Sequence, residues 1–372
     1  MKTLRPIALA AATLALAACS DSSTARKPVP GPDTPLEPYV PAAFSPAAGT
    51  ADANDIALFL AGKPVRHGAA LSQMQLTGDY RTHADLMAQR WRRYTARRTL
   101  RQSQWSDAYL APTIGSPGTV IYPFGGPDLL HVMAMFPRTT TYVLLGLEPS
   151  GSLPALESQN PGAVLNDLFR IDKAMETQLK VGYFITKDMR AELSGGPMPG
   201  TTPLLLASIG LMSGTVESIQ SISAGGNTGV DIRFRLPYGG SRRAIYMAGD
   251  LSNGGFGGGY RSWLGGYGGS VAYFKAASYL AHEDSFSGIR DFVLKNCRAV
   301  VQDDSGIPHR FFGGWDARLF GRYDYPIELF ANKGQPDLRA AYDAIGRGPD
   351  IPFGSGYHYR ASEANLQLYV RK

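Results

Sequence analysis

Thr119-Val-Ile-Tyr-Pro-Phe124, then Gly125-Gly126-Pro127-Asp128, then the run Leu129 to Phe136, then Thr141-Tyr-Val-Leu-Leu-Gly-Leu147-Glu148-Pro149, is the stretch that decides the fold class. Both end segments are apolar on consecutive positions, which is the pattern of strands buried on two faces, and the segment between them has helical length. The order is therefore strand, tight turn, helix, strand. Pro127 suits a first helical position because its missing donor costs nothing there, and Asp128 suits the positive end of the helix dipole.

A glycine turn leading into a helix, with an acidic residue closing the second strand, resembles the first half of a Rossmann-type or class I methyltransferase-type α/β domain. The resemblance implies a parallel sheet wound around the 119–149 unit. It does not carry the cofactor, because after Gly125 and Gly126 the carboxylate of Asp128 stands where a phosphate would sit. No cofactor is expected.

Working outward, 53–110 reads as helical and supplies a lead-in over 51–112, with the basic run Arg90, Arg92, Arg93, Arg97, Arg98 and Arg101 taken as a solvated helix face. Two further helices are expected over 163–192 and 202–223. Asp231–Leu236 and Arg243–Ala248 read as a strand pair across Pro237-Tyr-Gly-Gly, and 249–269 as a glycine-rich loop or lid carrying Phe256, Tyr260, Trp263 and Tyr267. Ser270 to Glu283 is read as a helix with Lys275, Tyr279 and His282 on one face. A helix leading to Cys297 and a buried strand ending in Asp303 and Asp304 follow, and Asn365–Val370 alternates as a last strand. The expected architecture is one α/β domain over 51–372, a mixed sheet with helices on both faces.

At the other end, Lys2 and Arg5 precede the uncharged run Pro6 to Ala18, which ends in Leu16-Ala17-Ala18-Cys19. The run is too short to span a bilayer, and small residues before the cut fit a peptidase pocket. Leu16-Ala17-Ala18-Cys19 resembles the lipobox of bacterial lipoproteins. That resemblance implies removal of 1–18, lipidation of Cys19 with diacylglycerol and palmitate, and, with Ser20 rather than aspartate next, the outer membrane of a Gram-negative cell with the domain in the periplasm or at the surface. Pro28, Pro30, Pro32, Pro35, Pro38, Pro41 and Pro46 make 19–50 a tether that reaches at most roughly 95 Å.

Composition narrows the partners. The 37 basic residues less Lys2 and Arg5 leave 35 against 31 acidic ones, a balance far short of a nucleic-acid footprint. The six histidines form no zinc motif, and no phosphate loop or nucleophile elbow is present.

Two functions remain. The first is a non-catalytic domain that binds an envelope protein or a small ligand, with Tyr260, Arg261, Trp263, Lys275 and His282 as candidate contacts. The second is a metal-assisted hydrolase: if the strand ending at Gln302 runs parallel to the one starting at Thr119, then Asp128, Glu148, Asp303 and Asp304 share one sheet edge. A divalent ion, with His309 as proton carrier, could then be held there. Against this, Asp304 and Ser305 would merely cap a turn and Asp303 would pair with Arg310 or Arg318.

Overall fold

A computed structural model describes residues 39, 41–44, 49–184, 193, 195–237, 239–346 and 348–372; the leader, Cys19 and most of the proline-rich tether lie outside them. Among the described residues nine strands form one sheet: β1 Thr119–Tyr122, β2 Thr141–Gly146, β3 Thr215–Ala224, β4 Asn227–Leu236, β5 Gly240–Ala248, β6 Val271–Phe274, β7 Ala299–Gln302, β8 Trp315–Gly321 and β9 Asn365–Arg371. Their order is β3-β4-β5-β2-β1-β6-β7-β9-β8. β5, β2, β1, β6 and β7 run parallel, and β9 lies antiparallel to both β7 and β8, so β8 is parallel to the central set. Leaving aside the β3–β4 hairpin at the far edge, the other six strands of this direction, numbered in chain order, read 3-2-1-4-5-6, the doubly wound order, with β9 interposed between the last two. The α/β class and the mixed sheet stand as the sequence led us to expect.

The pleat divides the core. Ile121, Val143, Leu145, Ile245, Ala272, Phe274 and Val300 point to one apolar layer, while Val120, Tyr122, Tyr142, Leu144, Ala244, Tyr246, Tyr273 and Val301 point to the other. Strands that feed both layers have to be apolar on successive positions, which is why the 119–149 unit looked as it did. Helices cover both faces. Ala53–Leu60, Gly78–Tyr94, Leu129–Met135, Pro161–Val181 and Thr202–Leu211 lie on the tyrosine side, and Gly258–Gly265 and Ser287–Asn296 on the other. No helix of the described residues is long and apolar enough to cross a membrane.

Several elements differ from expectation. The helix starting at Thr202 stops at Leu211 rather than running to 223, because Ser213 takes a positive φ and Thr215 to Ala224 then forms β3, an edge strand on which only Val216 is fully buried. The helix at 163–192 ends earlier, at Val181, where left-handed Gly182 caps it; residues 185–192 lie outside the described ones. The stretch 270–283 is no helix. It is β6, a break at Ala276 and a 3-10 turn, Ala277–His282, because four apolar residues bounded by Gly269 and Lys275 are strand-length. Within 249–269 a helix forms, Gly258–Gly265, whose Tyr260 and Leu264 are core residues together with Phe256. Pro127 precedes the helix rather than opening it, since Asp128 is the N-cap residue of Leu129–Met135.

One contact sets the lead-in against the domain. A Cβ on Gly210 would lie 2.2 Å from the Ala57 carbonyl oxygen, so the helices Ala53–Leu60 and Thr202–Leu211 meet backbone to backbone. Gly210→Ala gains helix propensity of about 1 kcal/mol yet has to push the helices apart. It is expected to lower stability by about 1–3 kcal/mol, measured by urea unfolding.

Candidate functional site

The strand order reverses on either side of β1, and a crevice outside the carboxyl ends of the strands is expected at such a point. A cleft is there. It spans about 700 Å³, the solvent at its open mouth included, and is lined by the residues that follow β1 (Phe124 to Gly126), β2 (Leu147, Glu148), β5 (Gly249 to Leu251) and β6 (Lys275 to Ala277). Tyr183, Phe184, Leu280 and Phe286 close its sides.

The backbone at this edge is unusual. Phe124 (φ 60°) and Ala276 (φ 61°), two of three non-glycine residues with positive φ among the described ones, both line the cleft. Such conformations cost about 1–3 kcal/mol each and persist where the surroundings enforce them, often at ligand sites. Close approach also explains Gly146: a Cβ there would lie 2.9 Å from Gly126 Cα and 2.7 Å from the Tyr246 hydroxyl.

The cleft floor is a buried ion pair. Asp128 is 2% exposed and Lys275 1%, with Nζ 2.5 Å from Oδ2. The Tyr122 hydroxyl donates to the same oxygen at 3.1 Å, Gln178 Nε2 donates to Oδ1, and Lys275 also donates to the Gly182 carbonyl at the end of the helix Pro161–Val181. Burial pushes the Asp128 carboxyl up and the Lys275 ammonium down, and the attraction of each for the other opposes both shifts. Because Asp128 spends both oxygens here, its side chain makes no bond to the helix it caps.

Glu148 sits on the wall two residues past β2. It is 3% exposed, and the Tyr246 hydroxyl donates to its carbonyl at 2.7 Å and lies 3.4 Å from its carboxylate. Asp250, past β5, is exposed at the mouth and accepts from the backbone and hydroxyl of Ser252.

Beside the cleft lies a second buried network. Asp304 accepts from the Tyr279 hydroxyl at 2.5 Å and from Asn365 at 3.0 Å, and His358 Nε2 stands 3.3 Å away. Burial alone would raise the Asp304 carboxyl, but these donors outweigh it and hold it low. Burial would likewise lower His358, yet Asp304 and Asp303 hold it above its ordinary value. Asp303 accepts from the backbone and hydroxyl of Ser305, at 3.0 and 2.5 Å, and from the backbone of Ala276 at 3.3 Å. Its carboxyl is pushed up to about 6 by burial and then by the Asp304 charge.

β7 is parallel to β6 and β6 to β1, so Asp303 and Asp304 do reach the same edge as Asp128 and Glu148. Each is engaged in its own hydrogen-bond set, however, and among the described residues no three of His, Cys, Asp and Glu converge as metal ligands do. The turn acceptor is Asp303, not Asp304, and it accepts from Ser305 and Ala276 rather than pairing with Arg310 or Arg318. His309 Nδ1 is 2.8 Å from the Tyr369 hydroxyl, and His131 lies between Gln102 and the Tyr273 hydroxyl, held neutral by burial and by Lys275 and Arg98.

Of the expected binding contacts, Lys275 lines the cleft. Tyr260 is fully buried, Trp263 half-buried and Arg261 exposed, and none of the three lines it; His282 is pushed down to about 4, chiefly by burial. Sequence reasoning missed Tyr122, Gln178, Asp250, His358 and Asn365. The available signal was a lysine directly after an apolar run, which marks a strand end. Comparison of the chain with protein-family models, with curated protein sequences and with solved structures gave no match, so the site is read from its own chemistry.

Proposed function

We propose that this is a lipid-anchored envelope protein, held to the outer membrane through Cys19, whose domain binds a small organic ligand in the cleft without transforming it. The ligand has a flat apolar part and hydroxyl or amine donors, as a nucleoside has. The observation that supports this is the cleft itself: aromatic and aliphatic walls (Phe124, Phe184, Leu251, Phe286) with two carboxylates, Glu148 and Asp250, beside them. Glu148 occupies the place beyond the second strand from which an acidic side chain accepts from ribose hydroxyls in dinucleotide-binding sheets. That part of the reading is an analogy of fold.

A diphosphate is disfavoured, since Asp128 takes the turn where it would lie and already holds Lys275. Calorimetric titration with adenosine is the test, with ribose and indole as its two halves. Adenosine is expected to bind more tightly than either half, with no change on adding a chelator. Glu148→Gln is expected to weaken it about tenfold, or roughly 1.4 kcal/mol. Failure of all three compounds to bind would remove the reading. The anchor is tested separately: Cys19→Ser is expected to move the protein from the membrane fraction to the soluble one.

A further inference from the structure

The arginine run that reads in the sequence as a solvated helix face folds into a concave wall. A five-residue π-turn, Thr95–Thr99, joins the helices Gly78–Tyr94 and Leu100–Tyr109, and π-turns within helices are frequent at functional sites. The wall faces the end of the helix Pro161–Val181 and the loop 352–361. Together they border a wide, open cavity of about 1490 Å³, the solvent at its mouth included.

Arg90, Arg93, Arg97, Arg98, Arg101 and Lys180 all line this cavity, against one carboxylate, Glu176, which Arg90 holds at 3.0 Å. Arg98 is 8% exposed and donates to the carbonyls of Gly354 and Tyr359 at 3.0 and 3.1 Å, so the loop 352–361 is built onto a buried guanidinium. Arg93, Arg97 and Lys180 are exposed and carry no ion pair among the described residues. Tyr94 lines the cavity as well, and its hydroxyl is buried in the interior without a hydrogen-bond partner among the described residues.

Like charges one helical turn apart destabilise a helix by about 0.2–0.5 kcal/mol per pair, so this gathering has a standing cost that an anion would remove. Guanidinium forks match the oxygens of phosphate two at a time. One phosphate carries a charge of roughly −1.5 to −2, too little for Arg93, Arg97 and Lys180, the cavity's three exposed cations without an ion pair among the described residues. We propose that the cavity binds a ligand bearing two or more phosphate groups. Its place in the fold is distinct from the cleft, and the inference does not rest on what the cleft binds.

The phosphates can come from a soluble compound or from lipid headgroups, and the test separates them. The full chain carrying Cys19→Ser, alone and with Arg93→Glu and Arg97→Glu added, is titrated with inorganic diphosphate at low salt. It is also sedimented with phosphatidylcholine vesicles with and without 30% phosphatidylglycerol. Both substitutions are at exposed positions, so the charge-reversed chain is expected to give the parent's unfolding transition. Diphosphate is expected to bind the parent at least about tenfold more tightly than the charge-reversed chain, and to weaken several-fold between 50 and 200 mM salt. Vesicle binding that requires phosphatidylglycerol and is displaced by diphosphate assigns the site to headgroups; diphosphate binding without vesicle binding assigns it to a soluble ligand. The proposal is overturned if diphosphate binds no better than sulfate at equal ionic strength, or binds both chains alike.

Discussion

Lys275→Met is expected to cost about 3–5 kcal/mol, because it leaves the Asp128 carboxylate buried without its cation. Methionine keeps most of the volume, so the loss is electrostatic rather than a cavity. Lys275→Met with Asp128→Leu is expected to recover most of it, since a buried pair replaced on both sides leaves nothing uncompensated. Urea unfolding of the two variants with an unchanged m-value checks both statements. The pH dependence follows from the sign of the shift. Burial raises the Asp128 carboxyl, so its contribution is present below the unfolded value of 3.8 and is lost as pH rises through the folded one. Removing Lys275 raises that carboxyl further. The deficit of the single variant is therefore expected to be largest at neutral pH and above, and to shrink as the pH falls toward 4.

The second large effect is expected at Asp304. Its carboxylate gathers Tyr279, Asn365 and His358, and Asp304→Asn removes the charge that, against burial, does most to hold His358 above its ordinary value. The expected loss is about 3 kcal/mol, the scale of breaking a buried charged hydrogen-bond set. Asp304 is held low, so its contribution is present above 3.8 and lost as pH falls; His358 is held high, so its contribution is present below 6.5 and lost as pH rises. The two overlap between those values, and there the variant is expected to fall furthest below the parent. Asp303 adds a signature of its own. Its carboxyl sits near 6 partly because Asp304 is charged, so in Asp304→Asn it is expected to titrate lower, which carboxyl-carbon NMR of the two chains would show.

The 119–149 unit was legible because strands buried on two faces cannot hide their periodicity. The apolar run 299–301 marked β7 as a buried strand, but its direction, and with it the edge on which Asp303 emerges, stood only as a condition until the sheet order was known. What stayed hidden was pairing across the chain. Nothing near Lys275 indicates Asp128, which is 147 positions away, and Asn365 and His358 reach Asp304 only because β9 returns to the centre of the far half of the sheet. Short strands were the other failure: Val271–Phe274 has four residues, too few for alternation to compete with a helical spacing of charged side chains further on. Glycine misled in a similar way at 249–269, where a composition suggesting a loose loop instead accompanies Tyr260 and Leu264 in the core.

The interposed strand has a consequence for biosynthesis. Among the described residues β8 pairs with β9 alone, and β9 is made some forty residues later as Asn365–Arg371. While a ribosome still holds residue 364, β7 presents an open edge and β8 has no neighbour at all, so this half of the sheet can close only after translation passes Arg371. Cells producing a chain stopped at Ala364 are thus expected to accumulate protease-sensitive material, while release of the longer product lets a single late docking event complete the structure.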